Sequence, residues 1–195
     1  MNIVVIKYNA GNVQSVLFAL ERIGIVAQLS DNAEIISSAD KVIFPGVGEA
    51  GSAMNYLKEK KLDSLIKELK QPVLGICLGM QLLCSHSEES NTDCLGIFNE
   101  KVKLFKGNQN FKVPHVGWNT IYDLQSPLFK NCNEEEYVYY VHSYYVEAGE
   151  HTIAKTNYIL PFSASIHKNN FYACQFHPEK SSSIGETILK NFIAL

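Results

Sequence analysis

No apolar run in this sequence approaches the ~18–20 unbroken residues of a membrane span. The first residues, MNIVVIKYNAGN, hold an apolar stretch too short for a secretory leader, with no small-residue cleavage site behind it. Lys and Arg (17) are outnumbered by Asp and Glu (20) and gather into no extended run, which argues against a nucleic-acid surface. The five cysteines (Cys77, Cys84, Cys94, Cys132 and Cys174) are odd in number and scattered. They lack the C-x2-C pairs of a zinc site, so no metal is expected, and they read as reduced thiols of a cytoplasmic protein. There is no internal repeat and no low-complexity linker. At 195 residues the chain is expected to form one domain over 1–195.

What is present is a change of pattern midway. MNIVVIK, the run at 25–29, KVIF at 41–44 and the run at 73–76 are apolar on nearly every residue, as strands buried on both faces are. Between them Val13, Val16, Leu17, Leu20 and Ile23 recur at helical spacing, and Leu57, Leu62, Leu65, Ile66 and Leu69 predict a helix before Pro72. The first hundred residues therefore predict an α/β, doubly wound, mostly parallel sheet with helices on both faces. Later segments (VKLF, YVYYVHSYYV, HTIAKT, FSASIH and FYACQF) have short polar connections and frequent aromatics, which predict antiparallel strands. A final helix carries the apolar stripe Ile184, Ile188, Leu189, Phe192 and Ile193, with Ser183 and Glu186 placed as a capping box. Glu88-Glu89 and Glu134 to Glu136 read as solvated surface.

Gly75-Ile76-Cys77-Leu78-Gly79 is the cysteine form of the G-x-S-x-G elbow, where a strand turns sharply into a helix and exposes a nucleophile at the bend. Glycines two positions either side permit close strand–helix packing. The helix N-terminus would favour negative charge on the sulfur, and the Leu78 N–H could donate to an oxyanion. Taken alone, the pattern fits a small buried cysteine equally well; Cys84, without a glycine frame, reads as core. A thiolate nucleophile needs a proton donor for its leaving group, and histidine is the natural one. His177 follows the strand FYACQF, and Pro178 predicts a stiff, non-helical corner on which Glu179 folds back to orient the imidazole. H-P-E alone would be a surface turn. With the elbow, it reads as the rest of a Cys-His-Glu triad.

GICLGMQ and QFHPEKS together resemble the nucleophile and the histidine–glutamate motifs of the class I, triad-type glutamine amidotransferases, and the resemblance covers essentially the whole chain. YNAGNVQSV, FPGVGEAGSAM, KVPHVGWN (112–119) and YYVHSYYV (139–146) are similar to members that act as a glutaminase subunit beside a cyclase in histidine biosynthesis. Lys7-Tyr8-Asn9 departs from the Asp-Tyr-Gly-like start of many members. The resemblance implies a flavodoxin-like fold and hydrolysis of L-glutamine to glutamate and ammonia by Cys77, His177 and Glu179, without cofactor. It implies an oxyanion hole from Val47, Gly48 and Leu78, where glycines flanking Val47 would let its peptide flip. It also implies glutamine contacts at Gly46, Gly48, Gly79, Gln81, His142, Ser143 and Tyr144. Trp118 and Asn119 would meet the partner, a cyclase of (β/α)8-barrel fold forming a heterodimer. Ammonia escaping into neutral water becomes mostly non-nucleophilic ammonium, which favours a sealed passage to that partner, and 195 residues leave no room for a synthase domain. The competing expectations are an amidotransferase subunit of another pathway such as surface-sugar amidation, a flavodoxin-like cysteine hydrolase or thiol-redox protein, and a binding module with a vestigial triad.

Overall fold

In the computed structural model, which describes residues 1–9 and 13–195, the first half alternates as the periodicity requires. In chain order it runs β1 (Ile3–Ile6), α1 (Val13–Arg22), β2 (Ala27–Ser30), α2 (Ala33–Ser37), β3 (Lys41–Gly46), α3 (Ala50–Glu59), α4 (Leu62–Glu68), β4 (Val73–Cys77) and α5 (Leu78–Leu83). Ala10-Gly11-Asn12, the centre of the YNAGNVQSV stretch, lie outside the described residues. β1 is buried along its whole length because its side chains feed two cores. Ile3 and Val5 pack on the face covered by Val16 and Leu20 of α1, whereas Val4 and Ile6 pack with Met54 and Leu57 of α3 and Ile66 of α4.

The second half adds β5 (His86–Ser87), β6 (Thr92–Asp93), β7 (Lys101–Leu104), β8 (His115–Thr120), β9 (Tyr137–His142), β10 (Tyr144–Val146), β11 (Thr152–Tyr158), β12 (Leu160–Lys168), β13 (Phe171–Cys174) and α6 (Ser182–Ala194). Among the described residues the main sheet has seven strands in the order β11-β12-β13-β4-β3-β1-β2. β8 and β9 form a separate antiparallel pair, and β5, β6, β7 and β10 a small third sheet. The apolar stripe of α6 completes the core beneath α1, with Ile188, Leu189 and Phe192 fully buried. Each such side chain contributes about 1.5–3 kcal/mol. Among the described residues no helix is long and apolar enough to cross a membrane.

Four local expectations are corrected. The helix predicted through Leu57 and Leu69 is two helices, broken where Lys61 adopts φ 57°. Leu57 and Leu62 are out of helical phase with each other, and the break rephases the chain so that both reach the core. FYACQF does pair antiparallel with β12, but on its other edge it lies parallel to β4, Phe171 beside Val73 and Cys174 beside Ile76. The Ser183–Glu186 capping box does not form. The helix starts earlier, so the Ser183 carbonyl already accepts from Thr187 Oγ1 and Glu186 pairs with Arg22. The residues after His177 form a 3-10 turn over Pro178–Lys180, since a proline at a first helical position loses no hydrogen bond.

Candidate active site

β13, β4 and β3 are neighbours, and their carboxyl ends lead to His177, Cys77 and the Gly46-Val47-Gly48 loop. Sites in open α/β sheets gather at this edge. Cys77 sits at the bend between β4 and α5 with φ 53° and ψ −109°, a strained conformation for a residue with a Cβ. Gly79 makes the bend possible: a Cβ there would overlap the Phe44 carbonyl oxygen. Gly46 is glycine for a comparable reason, because the buried Tyr8 hydroxyl occupies the place of its side chain. In the loop, Gly48 is the glycine with a left-handed φ, at 122°.

Beside Cys77 opens a cavity of about 330 Å³ whose lining includes Val47, Gly48, Leu78, Gln81, Ser143 and Tyr144. Gly46 and Gly79 do not line it; they lie behind it in the strand and helix packing. Gln81 donates through Nε2 to the Tyr144 carbonyl (3.0 Å) and to Gln175 Oε1 (3.0 Å), which leaves its Oε1 as an acceptor. His142 also lines the cavity, but both ring nitrogens are engaged, Nδ1 with the Tyr144 carbonyl (2.7 Å) and Nε2 with His115 Nδ1 (3.0 Å). Burial pushes its pKa down to about 3 and that of His115 to about 4, so the pair is neutral.

His177 Nδ1 is 2.6 Å from Glu179 Oε1, and both side chains are buried. Burial alone would lower the imidazole's pKa; the charge and proximity of Cys77, and then Glu179, outweigh it and raise the value to about 10. Among the described residues Nε2 has no partner other than the neighbouring Cys77 sulfur that helps to raise its pKa. The His177 backbone is pinned by the Tyr139 carbonyl, which accepts its N–H (2.9 Å), and by Ser181 Oγ, which donates to the His177 carbonyl (2.6 Å). Among the described residues no three His, Cys, Asp or Glu side chains group as metal ligands would.

Three site residues escape the sequence reading. Glu89 is half-buried at the cavity wall and accepts the Ala50 N–H at 2.8 Å, and burial raises its carboxyl pKa. This corrects its reading as solvated surface, whereas Glu134 is exposed as read and accepts from the Asp123 and Leu124 N–H groups at the surface. Ser181 and Gln175 are the other two, both fully buried. Trp118 is 52% exposed on the outer face of the β8–β9 pair, where Val116 faces Val141 and Trp118 faces Tyr139. Asn119 points to the inner face instead and donates to the Asn157 carbonyl at 3.0 Å, as strand alternation requires.

Known proteins resemble the chain along its whole length. Imidazole glycerol phosphate synthase subunit HisH of Bacteroides fragilis (strain YCH46) is 60% identical over 196 aligned residues, with both chains covered in full. The protein of that name from Idiomarina loihiensis is 45% identical, covering 100% of this chain and 98% of its own. Among solved structures, a putative GMP synthase subunit from Thermoplasma acidophilum superposes with a TM-score of 0.75 at 19% identity, covering 100% of this chain and 93% of that one. PurLQS from Thermotoga maritima superposes with a TM-score of 0.72 at 14% identity, covering 99% and 97%. These two likenesses show the shared fold. The model of the class-I glutamine amidotransferases matches residues 4–195, and the chain belongs to that family.

Proposed function

We propose that the chain, acting as one domain over 1–195 in the cytoplasm, is the glutaminase subunit of an imidazole glycerol phosphate synthase. It hydrolyses L-glutamine and passes the ammonia to a cyclase of (β/α)8-barrel fold. The observation that carries this reading is the convergence of Cys77, the His177–Glu179 pair and the Val47-Gly48 loop at three adjacent strand ends, with Cys77 and the loop lining the cavity and the His177–Glu179 pair lying behind them. The identity to relatives named as that subunit supports the pathway.

In the reaction, Cys77 Sγ attacks the side-chain carboxamide carbon. The resulting oxyanion takes hydrogen bonds from the Leu78 N–H and from the Val47-Gly48 loop. Collapse breaks the C–N bond; His177 Nε2 gives the leaving group its proton, and ammonia departs, leaving a glutamyl thioester. Water, deprotonated by His177, then attacks the thioester and releases glutamate and the thiol. Glu179 holds the imidazole tautomer and the charge that forms on it. Glu89 and Gln81 Oε1 are acceptors suited to the substrate ammonium, and the Ser143-Tyr144 backbone is suited to the carboxylate. The cyclase docks on the outer face of β8–β9, with Trp118 as its aromatic anchor and Asn119 bracing the strand from behind.

Replacement Cys77→Ser tests the assignment in the complex. Glutamine-driven synthesis should vanish while synthesis from added ammonium salts persists; full glutamine-driven turnover would refute it.

A further inference from the structure

Cys77 has two neighbours of opposite polarity that the reaction scheme does not use. Its thiol lies 3.9 Å from the Val141 carbonyl, an acceptor for the S–H proton. On the other side Gln175 Nε2 lies 3.7 Å from the sulfur, within range for an N–H donor to sulfur. An N–H donor stabilises a thiolate and a carbonyl repels one, so the two contacts favour different charge states.

The orientation of the Gln175 amide is fixed by the atoms around it. The Tyr144 carbonyl can only accept, and it takes the Nε2 group of Gln81 at 3.0 Å. That same Nε2 is 3.0 Å from Gln175, which must therefore present its oxygen there and its amino group to Cys77. Turning the amide over would set two amino groups against each other and place a bare oxygen on the sulfur. Gln175 is fully buried and Gln81 nearly so, which makes either mismatch costly. A glutamine needed only to fill space at the end of β13 would require no such directional chain.

We infer that Gln175 is a positioning residue for the nucleophile: it donates an N–H to the Cys77 sulfur and holds it as thiolate, with Gln81 and the Tyr144 carbonyl setting its direction. The inference deepens the proposed function and rests on Cys77 being the nucleophile. Because Tyr144 and Gln81 also border the cavity, an occupant that displaces either would alter the donor available to the sulfur.

The test uses the full chain and follows alkylation of Cys77 by iodoacetamide against pH, with the modified peptide resolved by mass spectrometry from those of the other cysteines. Gln175→Met keeps similar length but removes the donor, and Gln175→Glu replaces it with an acceptor. The alkylation midpoint should rise by about one pH unit in Gln175→Met and at least as far in Gln175→Glu, slowing alkylation about tenfold at pH values below the wild-type midpoint. An unchanged midpoint in both variants overturns the donor role. Should the variants not fold, the wild-type side-chain amide resonance of Gln175 decides. It should titrate with the alkylation midpoint and lose that dependence in Cys77→Ser, and a resonance flat across that range overturns the inference. Full glutamine-driven turnover in Cys77→Ser would instead remove the nucleophile assignment itself, so the two failures are distinguishable.

Discussion

Glu89→Gln separates substrate binding from acid–base chemistry. The carboxylate borders the cavity yet lies outside the His177–Glu179 pair, and one of its oxygens accepts from the Ala50 N–H at the start of α3. A glutamine side chain can retain that hydrogen bond through its own oxygen, so the substitution removes charge and little else. A charge-assisted hydrogen bond to the substrate ammonium contributes about 1.5–3 kcal/mol. Its loss should raise the KM for glutamine about 10–100-fold while kcat changes little, because no proton-transferring group has moved. The pH dependence adds a second signature. Burial holds this carboxyl above its ordinary pKa, so in the wild type KM should climb as pH falls through a mildly acidic range, and in Glu89→Gln that limb should flatten. A raised folded-state value also means that the ionised carboxylate costs the fold stability at neutral pH, so the variant's Tm should be unchanged or higher. Steady-state glutaminase kinetics with the cyclase present, at several pH values, measure all of this. An unaltered KM together with an unaltered acid limb would refute the placement of the ammonium at Glu89.

Gly79→Ala forces a Cβ into the Phe44 carbonyl, so α5 must move off β3 and carry Cys77 with it. The expected result is a loss of about 1–3 kcal/mol in chemical denaturation together with reduced kcat, and wild-type values of both would contradict the elbow geometry. Trp118→Ala removes a half-exposed ring, so folding stability should change by less than about 1 kcal/mol. Calorimetric affinity for the cyclase should fall about tenfold or more, and unchanged binding would free the outer face of β8–β9 from that role. Acid should destabilise the protein before its ordinary surface carboxylates protonate. Folded His115 and His142 are held down to about 4 and about 3 against a reference of 6.5, so below that reference the unfolded chain takes up protons that the folded chain refuses. Denaturation midpoints at pH 7 and pH 5 should show the drop, and His115→Gln should reduce it; equal midpoints would contradict it.

The parallel half of the fold is legible because burial on both faces writes itself as continuous apolar runs, and β1, β3 and β4 carry no competing signal. The triad is legible because an elbow needs its glycines and H-P-E places a carboxylate two residues from an imidazole. Gly46 and Gly79 are harder to interpret. A glycine beside a nucleophile reads the same whether it admits a ligand or a neighbour's backbone, and here the neighbours are Tyr8 and Phe44. Glu89 is hidden by its company, since Glu88 beside it is exposed and an acidic pair in a polar stretch has the composition of surface. Both accept a distant backbone N–H, Glu88 that of Leu104 and Glu89 that of Ala50, and only the second contact holds its carboxylate at the cavity wall. Gln175 is equally silent: its direction depends on a hydrogen-bond chain through residues 94 and 31 positions earlier in the sequence.

Two buried histidines on neighbouring elements show how the fold divides labour. His142 and His177 are almost equally hidden from solvent, at 6% and 1% exposure, and desolvation pushes both toward the neutral form. Their partners then drive them apart. His142 meets a peptide carbonyl and a second neutral histidine, neither of which offsets the loss of water, and it ends at about 3 with both nitrogens committed. His177 meets a carboxylate on Nδ1 and the Cys77 sulfur nearby, and it ends at about 10 with Nε2 committed to no other group among the described residues. A residue that must accept and return a proton within one turnover needs that nitrogen clear of every protein group but the nucleophile, because any other partner would have to be displaced at each transfer. A residue that must hold a cavity wall in place gains from the opposite arrangement. The engaged ring of His142 belongs to the framework and the Nε2 of His177 to the chemistry, although both sit in motifs that read alike as conspicuous histidines.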